Sequence, residues 1–238
     1  MILRNPFKTL TRMEWLLWLL SITVIFSSFL LSGSFYLLTL IASMVGVTAL
    51  IFVAKGDVWG QLLTVLFSLL YAVISLQFRY YGEMITYLGM TAPIAAMSVI
   101  TWLRNPFADT DEVKVHELNK LQRFWLMALT IIVTIIFYFI LKAFDTANLF
   151  ISTVSIATSF SASYLMLFRS PNYALAYAAN DIVLIILWVM AAMNDLSYLP
   201  MIACFAMFFV NDIYGFINWI RIKNRQQLQF HSSVELKK

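Results

Sequence analysis

The chain has 238 residues, of which 62% are hydrophobic and 12% are charged, and its net charge is +4. Soluble domains carry about a quarter charged residues, so this composition excludes a water-soluble globular protein and indicates that lipid covers much of the surface. The basic balance does not indicate a nucleic-acid partner, because Lys and Arg beside membrane spans set their orientation. The single cysteine, Cys204, excludes an intrachain disulfide and a cysteine-based metal site.

Eight apolar segments follow one another along the chain, each close to the roughly 20 residues that a spanning helix needs. Short breaks with Gly, Pro, Asn or charged residues separate them, and only residues 104–123 form a longer polar linker. Because backbone groups in lipid must be hydrogen-bonded within their own segment, we predict an all-α membrane protein with eight transmembrane helices. The predicted spans are residues 14–31, 35–54, 58–77, 84–103, 124–141, 147–168, 173–193 and 198–220.

The distribution of basic residues predicts the orientation of these spans. With the N-terminus in the cytoplasm, 14 of the 16 Lys and Arg residues fall on the cytoplasmic side, and only Arg79 and Lys142 lie outside. Cytoplasmic loops carry an excess of Lys and Arg. Eight spans with both termini in the cytoplasm therefore satisfy this rule, whereas seven or nine spans would scatter the charges.

The sequence contains a weak internal repeat with a shift of 117 residues. Residues 81–104 and 198–221 match without gaps at seven of 24 positions, including Trp102 with Trp219. The shift relates spans two to four to spans six to eight, so the two triplets point the same way, and such repeats place a substrate near the midplane. The predicted division is residues 1–34 (basic segment and accessory helix), 35–103 (first three-helix repeat), 104–146 (cytoplasmic linker and connecting helix), 147–222 (second repeat) and 223–238 (basic tail).

Two of the predicted spans carry acidic and amide residues deep in the membrane. Polar residues inside spans are costly and tend to face a bundle interior or a water-filled cavity. The positions that match the last span in the first repeat are Ile94, Ala95, Met97 and Thr101, so the shared fold does not require these polar groups. This asymmetry favours a ligand-binding role, and the alternative is hydrogen bonding between helices. The predicted substrate-binding residues are Tyr177, Asn180 and Asp181 in span seven and Asn211, Asp212, Tyr214 and Asn218 in span eight.

Two further residues complete the predicted site. Gln61 begins a polar stripe on span three, and a buried amide needs partners for both of its ends. Trp188 shares a face of span seven with Asp181, where its ring can stack on a flat ligand. The hydroxyl residues of the same stripe and of span six are also typical of close helix packing, which is the alternative for both.

Signatures of an enzyme are missing from the sequence. It contains no Gly-rich phosphate loop, no nucleophile elbow and no metal-spaced cluster of His, Asp and Glu. We therefore predict no catalytic residues, no metal and no cofactor. A membrane enzyme or an assembly scaffold would need clustered acids or a large soluble domain, and this chain has neither.

Three sequence motifs resemble the PnuC family of bacterial nicotinamide riboside transporters. They are YYGEM at residues 80–84, YAAND at residues 177–181 and NDIYGFINW at residues 211–219. The resemblance covers roughly residues 35–223. It implies a 3+1+3 fold similar to SWEET sugar transporters, a homotrimer in the bacterial inner membrane, and facilitated diffusion of nicotinamide riboside, a vitamin B3 nucleoside used in NAD biosynthesis.

One position in these motifs leaves the substrate open. The family's asparagine in the seventh span falls on Asn180, but many members carry an aromatic residue one turn earlier, where this chain has Ala176 beside Tyr177. Related carriers take thiamine or riboflavin, and their differences are expected at this aromatic residue. Both vitamins therefore remain alternatives to nicotinamide riboside.

Overall fold

The computed structural model describes residues 5–32, 36–78, 80–108, 110–146 and 148–235, with side chains up to residue 230. Within this part of the chain, eight helices are long and apolar enough to cross a membrane, which confirms the predicted all-α fold and its number of spans. Gly33, in a predicted break between spans, lies outside the described residues. Arg79, which was predicted on the side of the membrane away from the cytoplasm, lies outside them as well. The helices are α1 (Arg12–Ser32), α2 (Leu37–Ala54), α3 (Val58–Gln77), α4 (Tyr81–Leu103), α5 (Lys120–Ala143), α6 (Leu149–Leu167), α7 (Tyr173–Ala192) and α8 (Leu199–Glu235).

Helices α3 and α5 begin where a side chain satisfies free backbone N–H groups. The Asp57 carboxylate accepts a hydrogen bond from the backbone N–H of Trp59 at the start of α3. At the start of α5, Asn119 and Gln122 form a reciprocal capping box, with distances of 2.8 and 2.9 Å. This cap starts α5 four residues before the apolar run that the sequence analysis used.

The two helix triplets form the centre of the bundle. Helix α2 packs against α3 and α8, α7 packs against α6 and α8, and α4 packs against α3 and α6. Helix α1 lies outside this core against α2 and α8, and α5 lies outside it against α6. The end of the bundle that carries Lys55, Arg104 and Arg169 is called the basic end below.

Four hydrogen bonds join the two triplets at the basic end. Their donors lie at equivalent positions of the internal repeat. The indole N–H of Trp102 in α4 donates to the carbonyl of Met166 in α6 (3.3 Å), and that of Trp219 in α8 donates to Val53 in α2 (2.8 Å). The residue before each tryptophan makes a similar bond to the other triplet. The Thr101 hydroxyl donates to Leu167 O (3.4 Å) and the Asn218 amide donates to Ala54 O (2.9 Å).

This set of bonds is called the repeat joint below. In each triplet, two adjacent residues of the third helix donate hydrogen bonds to the first helix of the other triplet. The two indole rings also contact each other, with centroids 5.6 Å apart. The donors are 117 residues apart and the acceptors 113 residues apart. Such paired bonds are the contacts expected of two repeats related by a rotation axis along the membrane normal.

Helix α4 contains one π-helical turn, Tyr87–Thr91. Pro93 follows it, and because proline has no N–H, the carbonyl four residues earlier has no α-helical donor. A π turn absorbs this defect by adding one residue to the turn, and such turns are frequent at functional sites. Gly89 lies in the π turn, and a Cβ added there would meet nothing within 4 Å.

Helix α8 continues 15 residues past the predicted end of its span, from residue 220 to Glu235. The extension carries the 104–119 linker on its surface. The Gln226 side chain donates to Val113 O (3.1 Å) and accepts from Val115 N (2.9 Å), and Arg225 pairs with Glu112. The linker is therefore fastened to the basic end of the bundle.

Candidate functional site

A small pocket lies between the two triplets, near the middle of the helices. Its open volume is about 50 Å³. All six triplet helices contribute to its lining, and within the described residues α1 and α5 contribute none. The lining comprises Gly46, Ala49, Leu50, Val53, Thr64, Phe67, Ser68, Tyr87, Thr91, Ser159, Met166, Tyr177, Asn180, Asp181, Phe208 and Asp212.

Helix α7 presents three of the predicted site residues to this pocket. Tyr177, Asn180 and Asp181 all line it, since residues spaced by three or four lie on one helix face. The Oδ1 atom of Asn180 accepts a hydrogen bond from the Thr158 hydroxyl (2.8 Å), and the Tyr177 hydroxyl lies 3.0 Å from the Ser163 hydroxyl. These bonds orient both side chains and leave the Asn180 Nδ2 group to donate into the pocket.

Asp181 of α7 and Asp212 of α8 meet across the pocket. The two carboxyl groups lie close enough to interact electrostatically, and both residues are at most 4% exposed. Two buried carboxylates at close range repel each other, so the pair favours holding at least one proton. The Oδ2 atom of Asp181 has no hydrogen-bond partner among the described residues. The pair therefore offers a free acceptor to a ligand.

Aromatic rings form the apolar wall of the pocket. Phe67 of α3 contacts Tyr87 of α4 and Phe208 of α8, with centroid distances of 6.0 and 5.2 Å. The sequence analysis did not select any of these three residues. Tyr87 and Thr91 are the first and last residues of the π turn, so Gly89 and Pro93 were the available signal for α4.

Trp188 lies in an aromatic cluster outside the pocket lining, away from the basic end. Its indole N–H donates to the Tyr71 hydroxyl (3.0 Å), and its ring contacts Tyr80 and Tyr198 at centroid distances of 4.9 and 5.6 Å. Trp188 is completely buried, and its ring lies two turns of α7 from Asp181.

The predicted residue Gln61 is also fully buried, one turn of α3 from the lining residue Thr64 and towards the basic end. Neither atom of its amide group has a hydrogen-bond partner among the described residues. Burying such an amide without partners costs free energy. Gln61 thus lies beside the pocket with unused hydrogen-bonding capacity.

The remaining predicted residues of α8 contact other helices. Asn211 donates to the Ser21 hydroxyl of α1 (3.0 Å), and the Tyr214 hydroxyl donates to Glu14 of α1 (3.1 Å). Glu14 in turn pairs with Lys55 (3.1 Å). Asn218 belongs to the repeat joint. These three side chains hold α1 and α2 against α8 and are not part of the lining.

Charge is distributed unevenly between the pocket and the ends of the bundle. No Lys, Arg or His residue lines the pocket within the described residues, whereas Asp181 and Asp212 do. At the basic end, burial raises the pKa of Asp57, which caps α3, and the nearby Asp111 carboxylate adds to this effect. Acidic groups in the pocket favour a cationic or neutral polar ligand over an anion.

Eight spanning helices that enclose a polar pocket between two similar triplets define a multi-pass membrane carrier. A family model described as nicotinamide mononucleotide transporter matches residues 36–221. The chain belongs to this family of transporters, which confirms the resemblance seen in the sequence motifs.

Individual relatives agree with the family assignment. The chain is 27% identical over 194 residues to the nicotinamide riboside transporter PnuC of Neisseria mucosa, covering 79% of this chain and 74% of that protein. It is 22% identical over 190 residues to the PnuC of Haemophilus influenzae, covering 79% and 81%. A crystal structure of the vitamin B3 transporter PnuC superposes with a TM-score of 0.79 and 25% identity, covering 91% of this chain and 94% of that one. Both named organisms are bacteria, so the chain is a multi-pass bacterial membrane protein.

Proposed function

We propose that this protein carries nicotinamide riboside across the bacterial inner membrane by facilitated diffusion, with both termini in the cytoplasm. The names of the two curated relatives support this substrate. The basic end supports the orientation, because it gathers Lys55, Arg104, Arg169 and the extension of α8 on one side. The proposed cycle contains no covalent step and needs no cofactor.

The observation that carries the choice of substrate is the acidic lining without basic residues. Nicotinamide riboside bears one positive charge on its pyridinium ring, whereas the mononucleotide adds a phosphate with negative charge. A phosphate in this buried pocket would find no Lys, Arg or His in the described lining to compensate its negative charge, and the carboxyl groups of Asp181 and Asp212 would repel it when ionised. The riboside therefore fits the pocket better than the mononucleotide for which the family model is named.

The side chains divide into two groups for the two parts of this substrate. The pyridinium ring lies against the aromatic wall, where its charge also faces the carboxyl pair. The ribose hydroxyls hydrogen-bond the Asn180 amide and the free oxygen of Asp181. Tyr177 and Asp212 orient these groups.

The pocket must lengthen to hold a nucleoside, because ligand sites typically measure roughly 300–1,000 Å³. Trp188 and Gln61 lie beyond the pocket in opposite directions along the helices. Lengthening in either direction brings one of them to the substrate, so both stay in the proposed site. Asn211, Tyr214 and Asn218 support the site by positioning α8.

A thermal-shift panel on purified protein tests the substrate. A ligand that binds the folded state raises the unfolding temperature, and the shift grows with the logarithm of the ligand concentration relative to its Kd. We expect nicotinamide riboside to stabilise the protein and nicotinamide mononucleotide to leave it unchanged. Thiamine, which also has a cationic ring, and riboflavin, which is neutral, complete the panel. Stabilisation by the mononucleotide at least equal to that by the riboside would overturn the electrostatic argument.

We also propose that the protein is a homotrimer, as the resemblance to PnuC implies. Helix α5 supports assembly, because it leaves an apolar stripe of Phe124, Met127, Ile131 and Ile135 more than half exposed within the subunit. This stripe is available to neighbouring subunits or to lipid. The mass of the protein in detergent, measured by light scattering, tests the proposal, and a monomer would contradict it.

A further inference from the structure

A second cavity, called the basic-end cleft, is separate from the central pocket and shares no lining residue with it. It opens between the start of α5, the turn between α6 and α7, and the basic half of α8, with a volume of about 630 Å³. Nothing in the proposed transport cycle uses it. Its lining comprises Glu117, Leu118, Arg123, Leu126, Met127, Leu165, Ser170, Pro171, Asn172, Ile220 and Lys223.

All three walls of the cleft change from apolar to polar at the same level. On α5, Leu126 and Met127 give way to Arg123 one turn earlier, and on α8, Ile220 gives way to Lys223 one turn later. The third wall changes in the same direction, from apolar Leu165 in α6 to the polar turn before α7. Phe124 and Trp125 lie beside Arg123 as an exposed aromatic pair, which is typical of the interface between lipid chains and headgroups.

The polar half of the cleft attracts negative charge. The Nε–H group of Arg123 donates a hydrogen bond to the carbonyl of Leu118 (3.0 Å). An arginine has five N–H donors, so four remain. Lys223 pairs with Glu117, and because Lys223 donates to it, the pKa of Glu117 is held below its usual range. Two cations against one carboxylate leave the cleft with one net positive charge.

The start of α7 adds to this attraction. The N-terminus of this 20-residue helix lies at the cleft, and its cap residue Asn172 makes no side-chain capping hydrogen bond. Free N–H groups at a helix N-terminus favour anions. Ser170, which is 3% exposed and lines the same cavity, places a hydroxyl donor beside them.

From this arrangement we propose that the basic-end cleft binds one anionic phospholipid. The phosphate lies between Arg123 and Lys223 at the start of α7, and an acyl chain follows Leu126, Met127 and Ile220 into the bilayer. An apolar wall that opens to lipid below a basic rim is the arrangement that retains anionic lipids between transmembrane helices. The occupant is a lipid and not a free phosphate, because about half of the lining is apolar.

Lipid binding to the purified full-length protein tests this proposal. Native mass spectrometry measures the affinity for phosphatidylglycerol, with phosphatidylcholine as the neutral lipid and inorganic phosphate as the free anion. We expect Arg123→Gln to weaken phosphatidylglycerol binding about tenfold, as the loss of a charged hydrogen-bond partner does. Glu117→Gln should strengthen it, because it releases Lys223 from its ion pair. Because the two substitutions are expected to change lipid affinity in opposite directions, a general loss of folding cannot explain both results.

Arg104→Gln is the matched control, because it removes one positive charge from the same end of the bundle at an exposed residue outside the cleft. The affinity of the Arg104→Gln protein for phosphatidylglycerol should equal that of the unmodified protein. Three results would each overturn the proposal: equal loss in Arg104→Gln and Arg123→Gln, equal binding of phosphatidylcholine, or competition by inorganic phosphate at millimolar concentration. Weaker lipid binding in Glu117→Gln would contradict it as well.

Discussion

At the scale of single residues, the repeat joint makes Asn218 and Thr101 equivalent. Both donate a side-chain hydrogen bond to a carbonyl at the end of a helix in the other triplet. We expect Asn218→Thr to keep this bond and Asn218→Ala to lose about 1 kcal/mol of stability, because a carbonyl acceptor is left without its donor. Thermal unfolding of the two variants in detergent measures the difference. Equal destabilisation by Thr and Ala would show that the hydrogen bond is not what position 218 requires.

Asn180 carries the residue-scale prediction for the pocket. Asn180 lines the pocket, and Thr158 donates to its Oδ1 atom. Asn180→Ala should weaken binding of nicotinamide riboside about tenfold, since one buried hydrogen-bond partner is worth roughly 1–3 kcal/mol. Calorimetric titration measures the affinity, and Asn194→Ala, at an exposed asparagine after α7, is the control. Undiminished affinity in a folded Asn180→Ala protein would remove this residue from the site.

Sequence reasoning selected part of the lining and missed another part for a physical reason. Depth and helical spacing pointed to Tyr177, Asn180, Asp181 and Asp212, which line the pocket. The same spacing grouped Asn211 with Tyr214 and Asn218, and these three contact α1 and α2 instead of the pocket. Periodicity shows which residues share a helix face, but it does not show which neighbouring helix that face meets. Helix α1 lies outside the repeat, so the repeat contained no information about its position.

At the scale of secondary-structure elements, the π turn of α4 sets the orientation of one pocket wall. Deleting Gly89 would convert the turn to α-helix and rotate Tyr87 by about 100° relative to Thr91, the angle of one residue in an α-helix. We expect this deletion to abolish the thermal shift produced by nicotinamide riboside. Gly89→Ala should keep the shift, because its Cβ meets nothing within 4 Å. Unchanged binding by the deletion variant would show that the π turn does not shape the pocket.

The helices themselves were predictable, but their irregularities were not. Apolar runs near 20 residues located all eight spans, because lipid requires continuous backbone hydrogen bonding. Hydrophobicity does not distinguish a π turn from an α turn, so the hydropathy of the sequence did not predict the π turn in α4. The end of α8 was also set too early, because Gln226 and Arg225 stabilise a polar helix through the linker, a contact that a hydropathy pattern does not contain.

At the scale of the whole molecule, the carboxyl pair decides between passive and proton-coupled transport. Both carboxyl groups are buried, so a proton that they share can stay with the pair throughout the cycle. We expect uptake into liposomes, with the membrane potential clamped at zero, to stop at equal concentrations inside and outside whatever the pH gradient. Accumulation driven by a proton gradient, and lost in Asp181→Asn or Asp212→Asn, would overturn facilitated diffusion.

The repeat joint also bears on how the protein is made. When α4 enters the membrane, the indole N–H of Trp102 has no acceptor, because α6 has not yet been synthesised. The side-chain donors to the carbonyls at the end of α2, on Trp219 and Asn218, arrive only with α8. Neither triplet can form the repeat joint alone. The two halves of this carrier are therefore joined only after α8 has entered the membrane.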